Sequence, residues 1–261
     1  MNIIVCIKQV PDTNEVRIDK KTGTLIREGV PSIINPDDRN ALEEALRLKD
    51  KYNANVTVLT MGPPQAKLAL KEALAMGADD AILLSDRAFA GADTWATSTT
   101  LAGAIKRLGN FDIIFCGRQA IDGDTAQVGP QIAEHLDLPQ ITYVEKLDVE
   151  GDAVIAHRAI EDGYYKVKTN MPVLLTAIGE LNEPRYPSIR GIYDAFREKE
   201  IKVWSLDDII VDNTQIGLKG SPTQVKKSFT PATKGAGEKL EGTTEEKVRN
   251  LIVRLKERQI I

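Results

Sequence analysis

The chain has 261 residues, of which 42% are hydrophobic and 28% charged, and a formal net charge of −4. That length can bury a sizeable core in one or two domains. The acidic balance, with no sustained Lys/Arg stripe, excludes a protein that tracks a nucleic-acid backbone and leaves small molecules or proteins as ligands. Two cysteines and two histidines, none at metal-ligand spacing, exclude a zinc site or a disulfide scaffold.

The chain opens as an apolar strand, Ile3 to Ile7. No basic segment precedes it, and nowhere do about 18 apolar residues run together, so a cytoplasmic protein without membrane insertion is expected. Val16 to Ile26 alternates around Lys21-Thr-Gly23 and reads as a hairpin. Asn35-Pro-Asp-Asp38 supplies an N-cap, a proline at the first helical position and two first-turn carboxylates for a helix over Pro36 to Tyr52. Its apolar stripe is Ala41, Leu42, Ala45, Leu46 and Leu48. The motif is complete as a helix start without a ligand, and it also lies beside the first strand's carboxyl end.

A second strand, Val56 to Met61, leaves through Gly62-Pro63-Pro64 into a helix over Pro64 to Met76. Then come a strand at Ala81 to Leu84, a helix from Asp93 to Leu108 and a strand at Ile113 to Cys116. Such alternation implies parallel strands with crossover helices, an α/β three-layer sandwich of Rossmann-like, adenine-nucleotide-binding type. Cys6 and Cys116 lie inside apolar strand runs and read as core residues.

The last of these strands runs into Gly117-Arg-Gln-Ala-Ile-Asp-Gly-Asp-Thr-Ala-Gln-Val-Gly-Pro130 and a helix that continues to Leu136. A strand that turns through small residues into a helix offers unpaired N–H groups at the sheet's carboxyl edge, a site for phosphate. Asp122 and Asp124 would repel phosphate unless they face hydroxyls, a ring or a cation. They also suit Asx-type turns. Thr125 reads as the helix N-cap, and Ala126, Gln127 and Val128 as main-chain donors. Three strand ends thus converge on a mononucleotide-sized cleft. Gly-x-Gly-x-x-Gly, P-loop, Ser-Gly-Gly and Gly-x-Ser-x-Gly motifs are all absent, as is a nucleophilic Ser, Cys and His set, so no catalytic side chain is expected.

Beyond Pro139, four strand-like stretches, Ile141 to Val149, Ala153 to His157, Tyr165 to Lys168 and Val173 to Ala177, read as antiparallel additions to the same domain, 1–216. Residues 217–261 form a Gly/Pro-rich linker and a C-terminal arm, whose helix over Thr244 to Arg258 carries Val248, Leu251, Ile252 and Leu255 on one stripe. That stripe suits either core packing or docking on a partner.

The block Gly117 to Gln131 followed by Asp137-Leu-Pro-Gln140, with Lys8-Gln-Val-Pro-Asp-Thr13, Asn35-Pro-Asp-Asp38, Ala73-Leu-Ala-Met-Gly-Ala-Asp79 and Leu181-Asn-Glu-Pro-Arg-Tyr186, resembles the beta subunit of electron transfer flavoproteins in order and spacing. The resemblance spans nearly the whole chain. It implies a heterodimer with a flavin-carrying alpha subunit, and an adenine-nucleotide site at Cys6, Asn35, Pro36, Asp37, Asp38, Met61 and the run Gln119, Ala120, Ile121, Asp122, Gly123, Asp124, Thr125, Ala126, Gln127, Val128, Gly129, Pro130. The family divides between AMP and a second FAD at this site. Asp122-Gly-Asp-Thr-Ala-Gln-Val-Gly129 resembles the electron-bifurcating, anaerobe-type members, in which FAD accepts hydride from NADH and electrons pass to ferredoxin or flavodoxin and to an acyl-CoA dehydrogenase or similar partner. Small residues at Gly123 and Ala126 leave room for the longer dinucleotide.

The segment Asn182 to Ile192 resembles the family's partner-recognition loop, with Ile189 as its apolar anchor and Glu183 and Arg185 beside it. Asp194 and Glu198 stand where some relatives are Lys-rich, and Tyr165 where Glu or Gln is usual. The readings that stay open are FAD binding with electron bifurcation, AMP as a structural nucleotide, and a free-standing adenine-nucleotide hydrolase or binding protein.

Overall fold

A computed structural model of the chain describes residues 1–12, 31–226, 235, 237 and 239–261. The hairpin expected at Val16 to Ile26 lies outside the described residues. Two compact units are present, Met1–Val225 and Lys226–Ile261.

The first unit is built on a nine-stranded sheet. In chain order its elements are β1 (Asn2–Cys6), β2 (Gln9–Pro11), β3 (Ser32–Ile34), α1 (Pro36–Tyr52), β4 (Asn55–Met61), α2 (Lys67–Met76), β5 (Asp80–Leu84), α3 (Thr94–Leu108), β6 (Ile113–Gly117), α4 (Val128–Leu136), β7 (Gln140–Glu150), β8 (Ala153–Ile160), β9 (Gly163–Asn170), β10 (Val173–Ala177), α5 (Ile189–Arg197) and β11 (Lys202–Trp204). Strand order is β11-β5-β4-β1-β6-β10-β7-β8-β9, and β2 and β3 pair separately as a short antiparallel ribbon. Every pair from β11 to β7 is parallel, whereas β7-β8 and β8-β9 are antiparallel.

Alternate residues of each strand face opposite layers, as a pleated strand requires. Ile3, Val5, Val56, Val58 and Phe115 face one layer, where they pack with Leu42, Leu46, Leu70 and Leu74 of α1 and α2. Ile4, Cys6, Leu59, Ile114 and Cys116 face the other, with Leu101 and Ile105 of α3 and Ile132 of α4. This is the three-layer α/β sandwich the alternation implied. Both cysteines are buried and free.

Three elements differ from the sequence reading. Val173 to Ala177 is not an antiparallel addition. As β10 it is fully buried and lies parallel between β6 and β7. Its unbroken apolar run is what burial on both faces demands, and the neighbouring alternation masked it. The expected helix start at Pro64 is a 3-10 turn, Pro64–Ala66, before α2. The segment after Asn182 is a loop only up to Ser188, where α5 begins.

The chain returns from β5 to β6 across β1, so strand order reverses between β1 and β6. In an open parallel sheet that reversal leaves a crevice beyond the strands' carboxyl ends.

The second unit contains α6 (Thr244–Glu257), closed at its start by a capping box between Thr243 and Glu246. None of its residues is buried, and Val248, Leu251 and Ile252 are exposed. Among the described residues no helix is long and apolar enough to cross a membrane.

Candidate functional site at the strand-order reversal

The start of α1 organises the crevice. Asn35 is its N-cap and Pro36 its first residue, but the Asn35 side chain does not cap the helix. It clamps the loop after β6 instead, donating from Nδ2 to the Gln119 carbonyl at 2.8 Å and accepting at Oδ1 from the Ile121 N–H at 3.0 Å. Asp38, three residues on, accepts the Lys8 N–H at 2.7 Å and the Gly117 N–H at 2.9 Å, and so ties the ends of β1 and β6 to one carboxylate. Burial pushes its carboxyl from 3.8 up to about 7, against the opposing pull of these amides and of Asn35. Gly117 is required here, because a Cβ would stand 2.6 Å from the Asp38 nitrogen. Asp37 lies 3.3 Å from Arg118 Nε, and burial raises its carboxyl too.

The loop closes on itself. Gly123 and Asp124 both donate to the Ala120 carbonyl, and Gln119 Nε2 donates to Asp124 Oδ1 at 2.9 Å. Asp122 Oδ1 accepts from Lys8 Nζ at 2.6 Å. The carboxylate that seemed to oppose phosphate therefore carries a counter-charge from β1's end. Asp124 and Ala126 have left-handed φ values of 49° and 52°. Ala126 is followed by Gln127 in right-handed geometry, an alternation that makes neighbouring N–H groups converge on an anion.

That backbone also corrects the helix start. Thr125 is not the N-cap, because a left-handed residue at 126 cannot lie inside an α-helix. The cap is Gln127, with no side-chain bond to the helix, and its Oε1 instead accepts from Thr94 Oγ1 at 2.9 Å. Val128 and Pro130 begin α4. Gly129 is buried between them, where a Cβ would stand 2.7 Å from Thr176 Cγ2 of β10.

Among the remaining candidates, Cys6 contributes backbone to the carboxyl edge while its side chain lies in the core shared with α3 and α4. Met61, with Lys8, Val10, Gly62 and Pro63, lines a concavity of about 70 Å³. Ligand clefts typically run to roughly 300–1,000 Å³, so a nucleotide would lie along this open edge rather than in a closed chamber. The donor set fits an adenine nucleotide: an ammonium at Lys8, converging N–H groups at 126 to 128, and acceptors at Asp124 and the loop carbonyls. Lys8 is absent from the sequence-derived site, although its place one residue past an apolar strand at the carboxyl edge was a usable signal.

The second candidate region lies on α5. Ser188 caps the helix by accepting the Gly191 N–H at 2.9 Å. Ile189, Ile192, Tyr193 and Phe196 form an exposed apolar face at i, i+3, i+4 and i+7, and Ile189 is 90% exposed. Glu183 is exposed. Arg185 turns inward: its guanidinium grips Glu43 at 2.9 and 3.1 Å and Asp50 at 2.8 Å, and its N–H donates to Glu43 as well. Glu43 is only 3% exposed, a buried charge that keeps its partner.

A model of the electron transfer flavoprotein domain matches residues 22–209. The chain belongs to the electron transfer flavoprotein family. It is 64% identical to the electron transfer flavoprotein subunit beta of Clostridium acetobutylicum and 63% identical to that of Thermoanaerobacterium thermosaccharolyticum, over the full length of each chain. It is 58% identical, again end to end, to the caffeyl-CoA reductase-Etf complex subunit CarD of Acetobacterium woodii. Its role therefore lies in electron transfer. The family match covers the start of α1, the loop after β6 and α5, and begins after β1.

Proposed function

We propose that this electron transfer flavoprotein chain is a beta subunit that pairs with an alpha subunit, binds FAD along the carboxyl edge between β1 and β6, and takes part in bifurcating electron transfer from NADH. Ferredoxin or flavodoxin is one acceptor and an acyl-CoA dehydrogenase or similar flavin dehydrogenase the other. The arm, 217–261, packs on the alpha subunit. End-to-end likeness to a subunit of a caffeyl-CoA reductase-Etf complex supports a CoA-ester partner.

The observation that carries FAD over AMP is the open space at Gly123, where a Cβ would meet nothing within 4 Å. A loop unfilled at that point leaves a path for a dinucleotide beyond the first phosphate. Bound flavin supplies hydride and one-electron chemistry. The chain's own residues bind and orient it. Asn35 and Asp38 fix the loop to the strand ends, N–H groups of Ala126, Gln127 and Val128 receive phosphate oxygens, and Asp122 and Asp124 shape the loop beside the ribose. Ile189 on α5 anchors the dehydrogenase, with Glu183 at the rim and Arg185 bracing the approach.

Denaturing the purified heterodimer and quantifying released nucleotides tests this reading. Two FAD and no AMP per heterodimer are expected; one FAD with one AMP overturns it and makes the subunit a scaffold. Gly123→Asp combined with Thr125→Cys should lower occupancy of the second flavin without unfolding the chain, since Gly123 has open space beside it and Thr125 is exposed. Unchanged occupancy would remove the steric argument.

A further inference from the structure

α5 rests on α2 with little apolar anchorage. Among the described residues of α5 only Ala195 is buried, while Ile189, Ile192, Tyr193 and Phe196 face outward. Two half-buried lysines cross between the helices. Lys71, in the middle of α2, donates from Nζ to the Ala195 carbonyl and, at 2.9 Å, to the Lys199 carbonyl just beyond the end of α5. Lys199 in turn donates from Nζ at 2.5 Å to the Ala78 carbonyl, just past the end of α2. Each ammonium meets carbonyls at the C-terminal end of the opposite helix, where the dipole favours a cation. Lys71 Nζ also lies 5.9 Å from the centre of the Phe196 ring, so the same cation touches the exposed face.

We propose that Lys71 and Lys199 are positioning residues for partner docking: their reciprocal bonds fix the angle of α5 on α2 and hold its apolar face in the arrangement that the dehydrogenase meets. The inference rests on the reading of α5 as the docking helix. Gly191 lets the first turn of α5 approach the Ala75 carbonyl closely, so the lysines govern the C-terminal half. A helix with so few buried contacts opens locally at low cost. A partner that needs one arrangement then binds in proportion to the fraction of molecules that keep it.

The test uses the heterodimer, with hydrogen exchange followed by mass spectrometry and binding to a purified acyl-CoA dehydrogenase followed by surface plasmon resonance. Lys71→Met should quicken exchange of the α5 amides about tenfold or more, with those of α2 unchanged. It should also weaken dehydrogenase binding about threefold or more. Lys71→Arg, which keeps a cation and donors, should bind within about twofold of wild type. Thermal melts confirm that each variant is folded, and Lys199→Met, which removes the other tie and should act in the same direction, keeps the test decisive if Lys71→Met is not. Wild-type exchange in both methionine variants overturns the proposal, as does quickened exchange with wild-type dehydrogenase affinity. Ile189→Ala separates the two possible failures. If it too leaves the affinity unchanged, the docking reading falls; if it weakens binding while both methionine variants bind as wild type, docking stands and only the positioning role is overturned.

Discussion

Asp38 shows how one side chain at the strand-order reversal does structural work that composition does not advertise. Its carboxyl is raised from 3.8 to about 7, so the folded chain holds the proton more tightly than the unfolded one. This proton-linked contribution is complete below about pH 4 and is lost as pH rises through 7, where the folded state must carry a buried charge. Asp38→Asn does not titrate. The stability of wild type relative to Asp38→Asn should therefore fall between pH 4 and 7, by up to about 1.4 kcal/mol per pH unit, in urea unfolding followed across that range. A difference that does not change with pH would mean that the carboxyl is ionised throughout. The Asn35-Pro-Asp-Asp38 motif was legible as a helix start. Its second use, with Asn35 clamping residues 119 and 121 and Asp38 bridging residues 8 and 117, depends on contacts 30 to 86 positions apart in sequence.

At the scale of elements, α5 is held against α2 by close backbone contact. A Cβ on Gly191 would overlap the Ala75 carbonyl, and Lys71 donates to the Ala195 and Lys199 carbonyls at the far end of α5. Gly191→Ala should cost about 1–3 kcal/mol through this overpacking, read as a lowered thermal midpoint. A neutral result would show that α5 can slide on α2. The i, i+3, i+4, i+7 spacing of Ile189, Ile192, Tyr193 and Phe196 was present in the sequence. Pro184 and Pro187 just upstream made the segment read as a loop, although prolines before a Ser N-cap are compatible with a helix start. The parallel helices α1 to α3 were easier to place, because each follows a strand with a clear apolar stripe.

For the whole molecule, the division at Val225 matters most. No residue of α6 is buried, so removal of 226–261 should leave the thermal midpoint of the first unit within about 2 °C. On the proposed reading it should also weaken association with the alpha subunit, measured by size-exclusion chromatography of the mixed chains. A large fall in the midpoint of the truncated chain would show that the arm stabilises the first unit.

The sequence by itself determined the α/β class, most strand and helix positions, the crevice-facing loop and the family, because apolar periodicity and local turn chemistry act over a few residues. Only the tertiary structure decided that β10 runs between β6 and β7, that Lys8 pairs with Asp122 and that Arg185 turns inward to Glu43. These strand pairs, ion pairs and hydrogen bonds join positions 33 to 142 residues apart, and no local pattern encodes which distant groups will meet.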